Sequence, residues 1–175
     1  VQGFVTAYDI NEGDATLTLL EGSNNYHHDF KENFDIKKDI DWYQLSNEEL
    51  QYYNDKDCKR YNVLAPAGSL VLWDSRTVHS GMQPLKTRKE PNFRLVSYVC
   101  MTPKSLANKE TIDYRIKAFE KLHTTTHCPH RPKLFPKYPQ SFDKELNVPP
   151  ILKPKLSDLG KSLVGYNLES IDNEI

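Results

Sequence analysis

The stretch Ala65-Pro66-Ala67-Gly68-Ser69-Leu70-Val71-Leu72-Trp73-Asp74-Ser75-Arg76-Thr77-Val78-His79-Ser80-Gly81-Met82-Gln83-Pro84 carries the reading of the fold. Proline sets φ and glycine tolerates the left-handed region, so Ala65 to Gly68 has the chemistry of a tight turn. Tyr61 to Leu64 before it and Ser69 to Trp73 after it are apolar and strand-like, which makes a strand, turn, strand unit ending at Asp74 and Ser75. His79 then arrives just past the strand end, in a loop rich in small residues.

Working outward, Val1 to Ala7 and Ala15 to Leu20 are β-branched and apolar runs separated by Asn11-Glu12-Gly13-Asp14, which reads as a hairpin loop. A further strand pattern spans Phe93 to Met101. Between these, Tyr26, Phe30 and Phe34 recur at spacings that place three rings on one face of a helix. Ser46-Asn47-Glu48-Glu49 is a capping box, predicting a short helix over 47–54 with Leu50 and Tyr53 facing inward. Strands at short intervals with turn chemistry between them predict a mainly β protein with an antiparallel sandwich or barrel.

The texture changes after Pro103. Ile112, Arg115, Ile116, Phe119 and Leu122 fit one helix, and the segment HCPHRPKLFPKYPQ, His127 to Gln140, predicts an extended proline-rich tail. Residues from Asn147 onward have no clear period, and the final acidic stretch is expected to be disordered. The predicted organisation is residues 1–104 as the β portion and 105–175 as helix plus tail.

Among the 175 residues, 23 Lys and Arg stand against 24 Asp and Glu, so the basic surplus that nucleic-acid binding needs is missing. No apolar run approaches the roughly 20 residues that span a bilayer. The cysteines Cys58, Cys100 and Cys128 are odd in number and lack CxxC spacing, which fits a reducing, intracellular setting. Val1 to Tyr8 reads as a core strand rather than a frayed terminus, so the natural sequence is expected to continue upstream.

Two residues stand out as chemistry. His79 has the placement of a metal ligand, although a lone histidine is more often structural. Arg94 opens the apolar strand Phe93 to Cys100; buried, it would need a partner and would suit a ligand carboxylate, while at the surface it is an ordinary strand-end cation. By the two-residue period Gln2 and Phe4 share one face of their strand, lining a pocket or packing the core. His123, His127, Cys128 and His130 lack the spacing of a zinc finger and read as a packed tail. Trp42, Tyr43, Tyr52 and Tyr53 are either an apolar substrate mouth or core. None of the cysteines has the base and orienting partner of a thiol nucleophile.

VQGFVTAYDINEGDATLTLLEGS, APAGSLVLWDSRTVHSGMQP, FRLVSYVCMTP and THCPHRPKLFPKYP together resemble the phytanoyl-CoA dioxygenase-like family of 2-oxoglutarate oxygenases, and the tail resembles a subgroup of microbial eukaryotes and large viruses. The resemblance implies a double-stranded β-helix barrel of the jelly-roll or cupin-like kind, with flanking helices. It implies iron(II), 2-oxoglutarate and O2 as cofactors, a small-molecule or acyl substrate, and an intracellular location, or a virion-associated one in the case of viral origin. His79 matches the second histidine of a 2-His-1-carboxylate triad, and Arg94 matches the anchor of the distal carboxylate of 2-oxoglutarate. Ser80 or Ser97 would add a hydroxyl, and Gln2 would line the cosubstrate pocket. The H-x-D half of the triad lies, in relatives, before the segment matching Val1 to Phe4. His27-His28-Asp29 has that spacing but falls on the variable helix, and Asn24 replaces a histidine found in relatives. The alternative is a barrel without catalysis, serving as a binding or assembly module.

Overall fold

The structure is a computed structural model that describes residues 1–37, 42–88, 90, 92–135 and 150–166. The chain divides into two compact units, Val1–Cys100 and Met101–Ile175.

The first unit holds six short strands: β1 (Gln2–Thr6), β2 (Thr16–Leu20), β3 (Arg60–Asn62), β4 (Leu70–Trp73), β5 (His79–Met82) and β6 (Val96–Cys100). They form two three-stranded sheets in the orders β4-β1-β6 and β3-β2-β5, with every pair antiparallel. In the first sheet Phe4 registers with Val71 and Tyr98; in the second Leu19 registers with Tyr61 and His79.

The two predicted hairpins are not hairpins. β1 and β2, adjacent in sequence, lie in different sheets, and so do β3 and β4. The connecting backbone shows why: Ile10 and Ala65 exchange hydrogen bonds of 2.8 and 3.2 Å, and buried Asp14 accepts from the Asn11 amide at 2.9 Å and from Asn92 Nδ2 at 3.1 Å. The 11–14 loop is therefore tied to distant segments rather than folded back on its own strand. The turn at Gly68 does form, with φ +81° and the Ser69 amide on the Pro66 carbonyl, but it passes the chain from one sheet to the other.

The expectation of a mainly β, double-stranded β-helix barrel is overturned. Among the described residues two separate three-stranded sheets are present with no closed barrel, and helix outweighs strand, a mixed α and β protein. Strands of three to five residues leave β3, β4, β5 and β6 as edges, whereas a jelly roll needs about eight strands to distribute over its sheets. Alternation and turn chemistry report strands; they do not report which strands pair.

One apolar cluster joins the sheets: Phe4, Ile10, Leu17, Val63 and Trp73, with Leu19, Val71 and Val96 packed against it. Each such side chain, fully buried, contributes roughly 1.5–3 kcal/mol. A second cluster covers the other face of β2, where Leu20 meets α1 (His27–Asn33) and α2 (Asn47–Asp55) through Phe30, Tyr53 and Cys58. Tyr26 and Phe34 pack on that cluster beside Phe30, as the ring spacing predicts. The capping box of α2 is also present: Ser46 Oγ accepts from the Glu49 amide at 3.2 Å, and Glu49 Oε2 accepts from the Ser46 amide at 2.6 Å.

In the second unit, the predicted helix is α3 (Lys109–Glu120), which ends short of Leu122. α4 (Asp158–Val164), capped by Ser157, is a helix that hydrophobic period alone does not predict. Arg115 of α3 donates to the carbonyls of Leu163 and Val164 at 2.8 and 3.4 Å and so satisfies the α4 C-terminus. The proline-rich segment is described to residue 135, where Thr125 bridges Leu134; 136–149 and the acidic end beyond 166 lie outside the described residues. Among the described residues no helix is long and apolar enough to cross a membrane.

Candidate functional site

β4 ends at Trp73, and a side-chain-stabilised turn carries the chain into β5. Asp74 accepts from the Arg76 amide at 2.9 Å and from Arg76 Nε at 3.0 Å, and the Thr77 amide donates to the Asp74 carbonyl at 2.9 Å. Buried Ser23 then fixes the entry to β5: its Oγ accepts from the Val78 amide at 2.9 Å and donates to the Leu20 carbonyl at 2.7 Å. His79, next in line, is half-buried, with its ring 5.5 Å from that of Trp73 in an edge contact.

The imidazole is oriented by one bond. His79 Nδ1 lies 2.6 Å from the Thr77 carbonyl oxygen. A carbonyl only accepts, so Nδ1 carries the proton and Nε2 holds the lone pair, the tautomer that a metal-binding histidine adopts.

Phe4, completely buried, is the hub of the site. Its ring centroid is 6.0 Å from Trp73 and 6.2 Å from Tyr98, and the Arg94 guanidinium carbon lies 5.5 Å above it. Arg94 also donates to the Tyr98 hydroxyl at 3.1 Å. Two buried donors in this neighbourhood have no hydrogen-bond partner, Arg94 Nε and Trp73 Nε1. Unpaired buried N–H groups cost about 1–3 kcal/mol each, so each is a donor open to an acceptor oxygen. Trp73 is the member that the sequence marks only as a strand end; an orphaned indole N–H becomes visible only once the packing is known.

The remaining candidates are dispersed. Gln2 is half-buried on β1, two residues before Phe4 and in register with Trp73 and Cys100. Ser80 is exposed on β5 in register with Thr18, one residue on from His79 and so on the alternate face. Ser97, exposed, registers with Val5. His27 and Asp29 are both exposed on α1 while Phe30 turns inward. Asn24 is half-buried, and its Nδ2 donates to Oδ1 of its neighbour Asn25 at 3.3 Å. Tyr52 and Tyr53 belong to the second cluster, whereas Trp42 and Tyr43 are exposed. Among the described residues no group of three His, Cys, Asp or Glu side chains is placed to hold a metal, the His123 to His130 set included. Cys58, Cys100 and Cys128 are thiols, and burial pushes the first two above the ordinary thiol range, away from nucleophilic character.

No family model matches the chain, and no solved structure matches it. Among curated proteins the chain is similar to the Ava biosynthesis cluster protein O of Aspergillus versicolor, 28% identical over 140 residues, which are 75% of this chain and 44% of that protein. The chain thus spans less than half the length of the relative it matches.

Proposed function

We propose that the chain carries part of the site of an iron(II)- and 2-oxoglutarate-dependent oxygenase, as its resemblance to the phytanoyl-CoA dioxygenase-like proteins implies. The observation that carries this reading is a chain of ring contacts, His79 to Trp73 to Phe4 to Arg94, that links a histidine whose Nδ1–H is held by a carbonyl to an arginine with an unpaired buried N–H. His79 fits one ligand position through Nε2, and Arg94 fits the distal carboxylate of the cosubstrate through its planar fork. Among the described residues no set of three His, Cys, Asp or Glu side chains gathers to hold a metal, and on this reading the rest of the protein completes the ligand set. With iron(II), 2-oxoglutarate and O2 bound, the chemistry supplied is hydroxylation of an organic substrate. The chain's own part is to orient the imidazole, hold the carboxylate and keep the space beside Phe4 dry. A relative named for a biosynthesis cluster accords with an enzyme acting on a small molecule. Three thiol side chains accord with an intracellular setting.

A second reading needs only Arg94 and Trp73: a binding module that holds a small carboxylate on those two donors without a metal. Anaerobic titration of the full-length protein with iron(II) and 2-oxoglutarate separates the two. A visible charge-transfer band that disappears in His79→Ala supports the oxygenase. Binding of 2-oxoglutarate that neither iron nor His79→Ala alters supports the module, and no binding at all rules out both.

A further inference from the structure

A pocket of about 240 Å³ lies against the second sheet, walled in part by the β5 segment from Val78 to Ser80. Much of its apolar lining comes from the second cluster, Leu20, Leu45, Leu50 and Val78, with Leu19 and His79 closing the side toward the first. Three features mark the pocket as more than a packing gap. Trp42 stands at it with 71% of its surface exposed, a cost that a soluble surface ordinarily avoids. Arg60 lines it, exposed, and among the described residues no carboxylate pairs with that guanidinium. Thr18 lines it too, 7% exposed, with its Oγ1 buried and lacking a hydrogen-bond partner.

The carboxylate of α2 does not neutralise this charge. Glu49 Oε1 accepts from the Tyr43 hydroxyl at 2.5 Å and Oε2 from the Ser46 amide of the helix cap at 2.6 Å, so both oxygens already have partners. What is left is an apolar floor, one flat indole, one unpaired cation and one unpaired hydroxyl. The volume is below the roughly 300–1,000 Å³ of drug-sized sites, so the ligand is small.

We propose that this pocket binds a small aromatic carboxylic acid, with its ring between Trp42 and Leu50 and its carboxylate accepting from Arg60 and from the hydroxyl of Thr18, a near neighbour across the β2–β3 ladder. The pocket shares His79 as a wall residue with the site described above but does not include Arg94, so its carboxylate anchor is a different guanidinium. The test is calorimetric titration of the full chain with 4-phenylbutyrate and with its neutral amide, for wild type, Arg60→Gln, Leu50→Trp and Arg94→Gln. Saturable binding of the acid, at least tenfold weaker for the amide and for Arg60→Gln, lost in Leu50→Trp and unchanged in Arg94→Gln, is the expected result. Absence of saturable binding to wild type, or equal binding by Arg60→Gln, overturns the proposal. Loss of binding in Arg94→Gln overturns it as well, by assigning the acid to the other site. Arg60 is a surface residue, so Arg60→Gln decides the matter even where Leu50→Trp misfolds.

Discussion

Ser23 and Val78 meet through a half-buried hydrogen bond, the Val78 amide donating to Ser23 Oγ at 2.9 Å. That bond joins the end of β2 to the start of β5, and the same hydroxyl donates onward to the Leu20 carbonyl at 2.7 Å. Replacing Ser23 by Ala removes the partner of the Val78 N–H and of the Leu20 C=O at a fully buried side chain. Ser23→Ala is expected to lower stability by about 1–3 kcal/mol, read as a lower urea midpoint with an unchanged slope.

Gly3 is required by its neighbours across the sheet rather than by its dihedrals. A Cβ there would sit 2.8 Å from the Val71 carbonyl oxygen and 2.5 Å from Leu72 Cδ2. The leucine can turn away, but the carbonyl belongs to the β1–β4 ladder. Gly3→Ala is expected to cost about 1–3 kcal/mol in thermal or chemical unfolding. Gly81→Ala, with nothing within 4 Å of the added carbon, is the matched control and is expected to change stability by less than about 0.5 kcal/mol.

Arg94 tests the carboxylate anchor directly. Arg94→Gln is expected to weaken 2-oxoglutarate binding roughly ten- to a hundredfold, the range for losing a charge-assisted hydrogen bond. Arg94→Lys keeps the charge without the fork and is expected to lie between wild type and Arg94→Gln. Equal affinity of all three by equilibrium dialysis would show that the guanidinium does not touch the ligand.

Acid titration reports on the turn before His79. Hydrogen bonds from the Arg76 side chain and backbone hold the Asp74 carboxyl at about 2, against an ordinary 3.8. For Glu49, burial opposes ionisation, but the bonds from Tyr43 and Ser46 outweigh it and hold the carboxyl below its usual range. Both native values are depressed, so the stability they confer is present above the ordinary carboxylate range and is lost as pH falls through the native values. Asp74 is partly solvated, which limits its share to under about 1 kcal/mol. The melting temperature of Asp74→Asn is expected to lie below that of wild type at neutral pH and to converge with it as pH approaches about 2.

Local chemistry was legible in the sequence and long-range pairing was not. The Ser46 and Glu49 capping box, the Tyr26, Phe30 and Phe34 face and the strands around Phe4 and Leu17 depend on neighbours within a few residues, and each is present. Whether β1 pairs with β2 depends on Asp14, Asn92, Ile10 and Ala65 finding one another, and no local pattern encodes that. α4 escaped because its signal is a Ser157 cap rather than an apolar period. His79 and Arg94 were recognisable as residue types, but their common link through Phe4 and Trp73, and the orphaned indole N–H, are products of packing.

The placement of β1 and β2 at the centres of their sheets has a kinetic meaning. Both are synthesised before any strand they pair with, and Gln2 waits for Cys100 as well as Trp73. Contact order is therefore high for a unit of this size, which points to refolding in roughly milliseconds to seconds rather than microseconds. During synthesis β2 has both edges open until β3 and β5 follow, and one edge of β1 stays open until β6 emerges, the condition in which unpaired strands are prone to aggregate.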